Sequence, residues 1–230
     1  MARRPSLVAR HPAVEGRLGD TADAQRARLL DAVAWVVAER GFAAATVSDV
    51  VSAARVSRST FYALFDSKER CFLEAYRHGV DVVLEQVRDA VHEADGDWRA
   101  QLRAGVRAYL TTLAADPGFA RAYLLEVHAA GPSALDARTQ ALRRFADRYL
   151  ATFAQARAAE GDLPEPPPDA VLVLTAGTEQ LASEYVRAGR IEELPALEEV
   201  FCRCAESVLL GPGMGGRDAS PTLRLTKARA

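Results

Sequence analysis

Apolar side chains recur at three- and four-residue intervals along most of the chain, and no stretch sustains the two-residue alternation of a strand. From about 22 to 40, Leu29, Leu30, Val33, Val36 and Val37 make one face of a helix, which Gly41 closes. Thr46 has the residue type and position of an N-cap for a short helix containing Val47, Val50 and Val51. Ser57 caps a second short helix reaching about Phe65, and Asp66-Ser67 restarts the chain. A long helix follows on Phe72, Tyr76, Val80, Val83, Val87 and Val91. Trp98, Leu102, Val106, Tyr109 and Leu113 mark the next, stopped at Asp116-Pro117, and a shorter one covers about 119–129. Beyond Gly131-Pro132-Ser133, a long amphipathic helix carries Leu142, Phe145, Tyr149 and Phe153.

The proline-rich stretch EGDLPEPPP, residues 160–168, is the clearest break in the pattern. The helix after it opens on AVLVLTAG, apolar on every side, so one side can face its own core and another a partner. Leu194-Pro195 starts the last helix, with Leu197, Val200, Phe201, Cys204 and Val208 on one face. About nine helices and no strand predict an all-α protein.

Composition adds limits. Hydrophobic residues make up 49% of 230, enough for a real core, and the net charge of −2 excludes a polycation. Any nucleic-acid contact therefore has to use local charge. Basic residues outnumber acidic ones up to Arg70, but lysine occurs only at Lys68 and Lys227, so the arginine content reads as coding bias. The three cysteines, Cys71, Cys202 and Cys204, have no framework spacing, and Cys204 is expected as a buried reduced thiol. No metal and no cofactor is expected. Residues 1–20, with Arg3, Arg4, Arg10 and Arg17, read as a basic arm, and 211–230 as a tail. No apolar run follows the N-terminus or reaches the length of a membrane span, so a cytoplasmic protein without membrane contact is expected.

The chemistry concentrates in VSRSTFYALFDSKE, from Val56 to Glu69. Two short helices joined by Arg55-Val56-Ser57 have the length and turn of a helix-turn-helix, a motif over about 45–64. With Val47, Val50, Val51, Ala54, Val56 and Phe61 turned inward, the second helix presents Ser57, Arg58, Ser59, Thr60 and Tyr62 outward. Hydroxyls donate to phosphate oxygens, and a guanidinium can bond a guanine edge twice. Free N–H groups after Thr46, Ser57 and Ser67 add donors aimed at anions, and Lys68 adds charge.

From Arg26 to Tyr76 the chain resembles the DNA-binding domain of the TetR (tetracycline-repressor) family. RLLDAVAWVVAERGFAAATVSDVV is similar to its first helix, glycine-aromatic turn and second helix; VSRSTFYALFDSKE is similar to its recognition helix and the start of its fourth. The resemblance implies operator contacts from Thr46, Ser48, Ser57, Arg58, Ser59, Thr60, Tyr62 and Lys68, with Tyr62 and Lys68 on phosphates. Two positions depart from the family pattern. Arg55 stands where glycine is common, so a left-handed turn is expected at some cost. Leu64 stands where many members have histidine and receives no DNA contact.

The implied layout is a DNA-binding domain over 21–76 and a helical regulatory and dimerisation domain over 77–210. The implied function is a ligand-released repressor, homodimeric on a palindromic operator, taking a small apolar effector. Trp98, Tyr109, Tyr123, His128, Phe145 and Tyr149 are the candidates for an effector pocket. Leu174, Leu181, Leu197, Phe201, Cys204 and Val208 are those for the dimer interface. A helical adaptor would not need the hydroxyl-rich face. An enzyme would need a phosphate loop, nucleophile elbow or metal motif, and GPGMGG lies in the tail instead.

Overall fold

The computed structural model describes residues 21–161 and 163–211, and these contain nine α-helices and no strand. The expected arm over 1–20 and nearly all of the tail lie outside the described residues. Helix α1 (Ala22–Arg40) is capped by Thr21, whose hydroxyl accepts from the Ala24 N–H, and ends at Gly41 with φ +79°. Its buried stripe, Leu29, Leu30, Val33, Val36 and Val37, is the one the periodicity predicts.

Helix α2 (Val47–Ala54) opens on a capping box in which Thr46 and Asp49 satisfy each other's backbone N–H. Helix α3 (Arg58–Leu64) is capped by Ser57 and anchored by Phe61, which is fully buried. Between them Arg55 is left-handed, φ 55° and ψ 45°, and is the one non-glycine residue with positive φ among the described residues. A Cβ in that conformation costs roughly 1–2 kcal/mol, whereas glycine adds about 0.5–1 kcal/mol of unfolded-state entropy. Arg55→Gly is therefore expected to stabilise the domain by about 0.5–1 kcal/mol in a denaturant titration, and Arg55→Ala to bring no gain.

Ser67 caps α4 (Lys68–Glu93), 26 residues that begin in the helix-turn-helix region and run into the second half of the molecule. The expected domain boundary after Tyr76 falls inside this helix, which spans about 39 Å at 1.5 Å per residue. Helix α5 (Trp98–Ala115), capped by Asp97, returns along α4, and α6 (Pro117–Leu124) packs on α1. The short helix expected over 119–129 is two pieces. α6 ends at Leu124, and Glu126–Ala129 is a 3₁₀ segment. The change of geometry turns the Glu126 carboxylate back onto the Phe42 N–H, 2.8 Å away, and Pro132 just beyond prevents continuation.

Helix α7 (Pro132–Glu160) and α8 (Pro168–Arg187) both start with proline at the first turn, where the missing N–H costs nothing. The last helix starts later than expected. Ile191–Leu197 is 3₁₀ and holds Pro195, and α9 (Glu198–Leu210) follows. One continuous apolar core runs through both halves of the molecule. No helix among the described residues is long and apolar enough to cross a membrane.

Candidate functional site

Burying Phe61 leaves the opposite side of α3 in solvent. Ser57, Arg58, Ser59 and Tyr62 are exposed, and Ser48 on α2 is exposed beside them. The Arg58 guanidinium lies 3.4 Å from Ser48 Oγ and 5.8 Å from the centre of the Tyr62 ring, so both short helices contribute to one polar surface. The Ser57 hydroxyl is 2.7 Å from those of Ser59 and Thr60, a cluster that both caps the helix and holds donors at its tip. Arg58→Ala is expected to remove about 1–3 kcal/mol of discrimination at one base pair of a half-site, read by competition with single-substituted operators.

Two of the eight candidate DNA contacts are committed to partners other than their fellow candidates. Thr46 donates its hydroxyl to Asp49 Oδ2 at 2.7 Å, and Asp49 also pairs with Arg40 at 2.9 Å. The Thr46 hydrogen bonds, then Arg40, hold the Asp49 carboxyl below its ordinary range. The Thr46 proton is thus committed, and its oxygen serves α2. Lys68 is half-buried, its ammonium 2.6 Å from the Phe42 carbonyl, 2.8 Å from that of Ala45 and 4.2 Å from the centre of the Phe42 ring. Two of its three hydrogens fasten the α1–α2 turn, which leaves one for a phosphate. Leu64 is half-buried against the core. The turn that Lys68 holds also receives Glu126 from the second half of the molecule, a link that no spacing in the sequence signals.

Between α4, α5, α7, α8 and α9 lies an apolar cavity. The enclosed space measures about 60 Å³ and opens into a cleft of about 730 Å³ that includes its mouth. Of the six pocket candidates, Trp98, Tyr109, Phe145 and Tyr149 line it. Trp98 meets Phe153 edge-on at 4.9 Å, and Tyr109 meets Phe145 at 5.6 Å. Burial pushes the Tyr109 and Tyr149 phenols up, which keeps both neutral. Trp98 Nε1 is buried without a hydrogen-bond partner among the described residues.

Tyr123 and His128 do not line this cavity. Tyr123 is stacked between Tyr76, 5.3 Å away, and Phe119, 5.4 Å away, inside the joint between α4 and α6. His128 is exposed on the 3₁₀ segment, and partial burial with Arg138 and Arg187 nearby holds its pKa down. Lining residues that aromatic content did not reveal include Arg148, Thr152, Thr175 and Thr178.

The expected interface positions divide by helix face. Leu174, Leu197 and Phe201 are buried in their own protomer, and only Leu181, Cys204 and Val208 reach the outer side. Cys204, expected as a buried thiol, is exposed, while Cys202 is buried and pushed up to about 11 by that burial. No metal-holding group of His, Cys, Asp or Glu occurs among the described residues. The outer apolar stripe consists of Val173 (72% exposed), Gly177 and Leu181 on α8 and of Val200 (47% exposed), Cys204 and Val208 on α9.

Residues 29–75, from within α1 to within α4, match the family model described as bacterial regulatory proteins, tetR family. This segment is TetR-like. The HTH-type transcriptional activator FasR of Mycolicibacterium smegmatis is 34% identical over 87 residues, 38% of this chain and 39% of that one. The HTH-type transcriptional repressor KstR2 of Rhodococcus jostii is 41% identical over 81 residues, 35% and 39% of the two chains. The matched portion of the chain therefore spans well under half the length of either curated relative. Solved structures extend the likeness of fold. FadR of Bacillus halodurans superposes with TM-score 0.71 at 20% identity, over 87% of this chain and all of that one. FadR of Bacillus subtilis, in complex with stearoyl-CoA, gives 0.68 at 17% identity, over 79% and 96%.

Proposed function

We propose that this protein is a sequence-specific, ligand-responsive transcriptional regulator of the TetR family, acting in the cytoplasm as a homodimer on a palindromic operator. The observation that carries the reading is one continuous connection. Helix α4 follows directly after α3, which exposes Arg58, Ser59 and Tyr62, and ends as a wall of the apolar cavity, at Val87 and Val91. A molecule that widens the cavity has to displace a wall, and α4 is the wall joined to the DNA-binding face.

The contacts along α4 support transmission. A Cβ at Gly79 would run into the Phe119 ring, so α4 and α6 touch there with no slack. α6 leads directly to Glu126 and its bond to the Phe42 N–H. Movement of α4 therefore reaches the turn before α2 by two routes, through Lys68 at its own N-terminus and through Glu126. The outer stripes of α8 and α9 fit a two-fold four-helix interface, which would set the separation of the two α3 helices.

The effector we propose is a small molecule with a predominantly apolar body, in keeping with the cavity walls. The stearoyl-CoA held by the Bacillus subtilis FadR shows that a neighbour of this fold accepts an acyl chain. Release of DNA by the ligand makes the protein a repressor; its KstR2 relative is one, whereas its FasR relative is an activator.

The test is fluorescence anisotropy on the DNA upstream of the protein's own gene, with and without a ligand found by thermal shift. Dimer bound to an inverted repeat, with ligand and DNA weakening each other by the same factor, supports the reading. Equal ligand affinity for free and DNA-bound protein would sink the coupling. Ligand that tightens DNA binding would overturn the ligand-released reading.

A further inference from the structure

Among the described residues, Arg148 is the only charged one lining the apolar cavity. It is half-buried on α7 and makes no ion pair with any described residue. The other arginines nearby are engaged: Arg144 reaches Asp81 on α4 at 2.7 Å, and Arg88 reaches Asp89 at 2.8 Å and Glu85 at 3.5 Å. Arg148 also lines a second, polar groove on the outside of α4 and α7, together with Asp81, Glu85, Arg88, Arg144 and Asp147. The Arg148 side chain thus borders both the apolar cavity and the polar groove.

A half-buried arginine gives up part of its contact with water, and no described carboxylate pairs with Arg148 in return. Among the groove carboxylates, Asp81 and Glu85 already hold Arg144 and Arg88, and Asp147 is exposed on the solvent side of α7. The side facing the cavity offers Arg148 only neutral partners, including Tyr149, Thr152 and Gln101. An anion at the mouth of the cavity would complete it with charge-assisted hydrogen bonds, bidentate if planar.

We infer that the effector is an apolar chain ending directly in an anionic group, with the chain among Trp98, Tyr109, Phe145 and Phe153 and the anion on Arg148. This rests on the proposed role of the cavity as effector site and narrows the class of ligand. The position of Arg148 matters more than its charge. An acyl thioester of coenzyme A carries a neutral carbonyl at the end of its chain, and its phosphates lie beyond the whole pantetheine arm. A free carboxylate or an alkyl phosphate places its charge at the chain terminus, where Arg148 stands. Free acid is therefore preferred over thioester. Because the head group would sit beside the Arg144–Asp81 bridge from α7 to α4, its binding bears directly on the helix that carries the DNA-binding face.

The experiment uses the full chain carrying Trp35→Phe, so that tryptophan emission reports Trp98 in the cavity wall. Decanoate, decyl phosphate, decanol, decyltrimethylammonium and decanoyl-CoA are titrated below their micelle concentrations. Decanoate or decyl phosphate should bind at least about tenfold more tightly than decanol, the cation and the thioester. Comparison of the first two identifies the preferred head group. Arg148→Met should reduce that preference to about twofold while decanol affinity holds, and Arg148→Lys should restore part of it. Equal binding of decanoate and decanol, tighter binding of the thioester, or a preference that survives Arg148→Met would each overturn the assignment and leave the cavity as an effector site. Binding of none of the five would overturn the effector site itself.

Discussion

A protein carrying Val173→Glu is expected to stay folded, run as a monomer and bind its operator about 10²–10⁴-fold more weakly. Val173 is 72% exposed, so a carboxylate there meets water in the single protomer and is buried only if a second protomer covers α8. In a two-fold interface each copy would bring its own charge to the same patch, and the like charges would lie close together. A dimer grips both half-sites of a palindrome, and the second contact is nearly intramolecular; a monomer loses that gain without losing any contact of α3. Light scattering measures the mass, and anisotropy compares the full operator with one half-site. If the variant remains a dimer with unaltered operator affinity, the interface lies elsewhere. Leu174→Glu, one residue away, should behave differently. Leu174 is only 6% exposed, so its charge would enter the protomer core and lower thermal stability whatever the assembly state.

Arg138→Met is expected to destabilise the protein by about 3–5 kcal/mol, the cost of leaving a buried charge without its partner. Glu179 on α8 is 4% exposed, and both its oxygens accept from Arg138 on α7, one of them from Nε at 3.0 Å. In a domain of this size the loss corresponds to a fall in Tm of roughly 10 °C. Arg138→Met combined with Glu179→Met should recover most of it, because an apolar pair of similar volume leaves no charge to compensate. The loss should also depend on pH. Burial pushes the Glu179 carboxyl up, and Arg138 opposes that shift. Without Arg138 the folded protein binds a proton more readily than the unfolded chain does. The variant is then least destabilised at acid pH, and its deficit grows as pH rises from about 4.3, the ordinary glutamate value, through the raised folded value. A deficit that does not change with pH would show Glu179 to be neutral or solvated in the native protein.

These two experiments separate the working parts of the second half of the molecule. The Arg138–Glu179 pair ties α7 to α8, the helix that carries the outer stripe, and α7 also carries Arg148 and the aromatic wall. Weakening that tie should loosen cavity and interface together, whereas Val173→Glu should leave the cavity and its ligand affinity unchanged.

Periodicity alone placed most helices correctly, because burying one face of each helix requires apolar residues every three or four positions, and the caps Thr46, Ser57 and Ser67 are local. The exposed face of Arg58, Ser59 and Tyr62 was equally legible, since Phe61 in the core turns its neighbours on a short helix outward. Arg55 announced its strained turn by standing where glycine is common. What the sequence could not decide were choices among chemically equivalent positions. Leu174 and Val173 are both apolar residues on a helix apolar all round, and only the packing of α7 and α9 against α8 buries one and exposes the other. Tyr123 and Tyr109 are both tyrosines on amphipathic helices, yet the crossing of α4 and α6 stacks the first into a joint while the second borders a cavity. Lys68 looks like a surface cation until the turn 26 residues earlier folds over it, and Glu126 meets Phe42 across 84 positions. Arg148 was one arginine among many, and its place at the mouth of the cavity follows from five helices meeting in space. Short-range hydrogen bonds and helical period are fixed by neighbours along the chain; partners of long side chains are fixed only once distant helices pack.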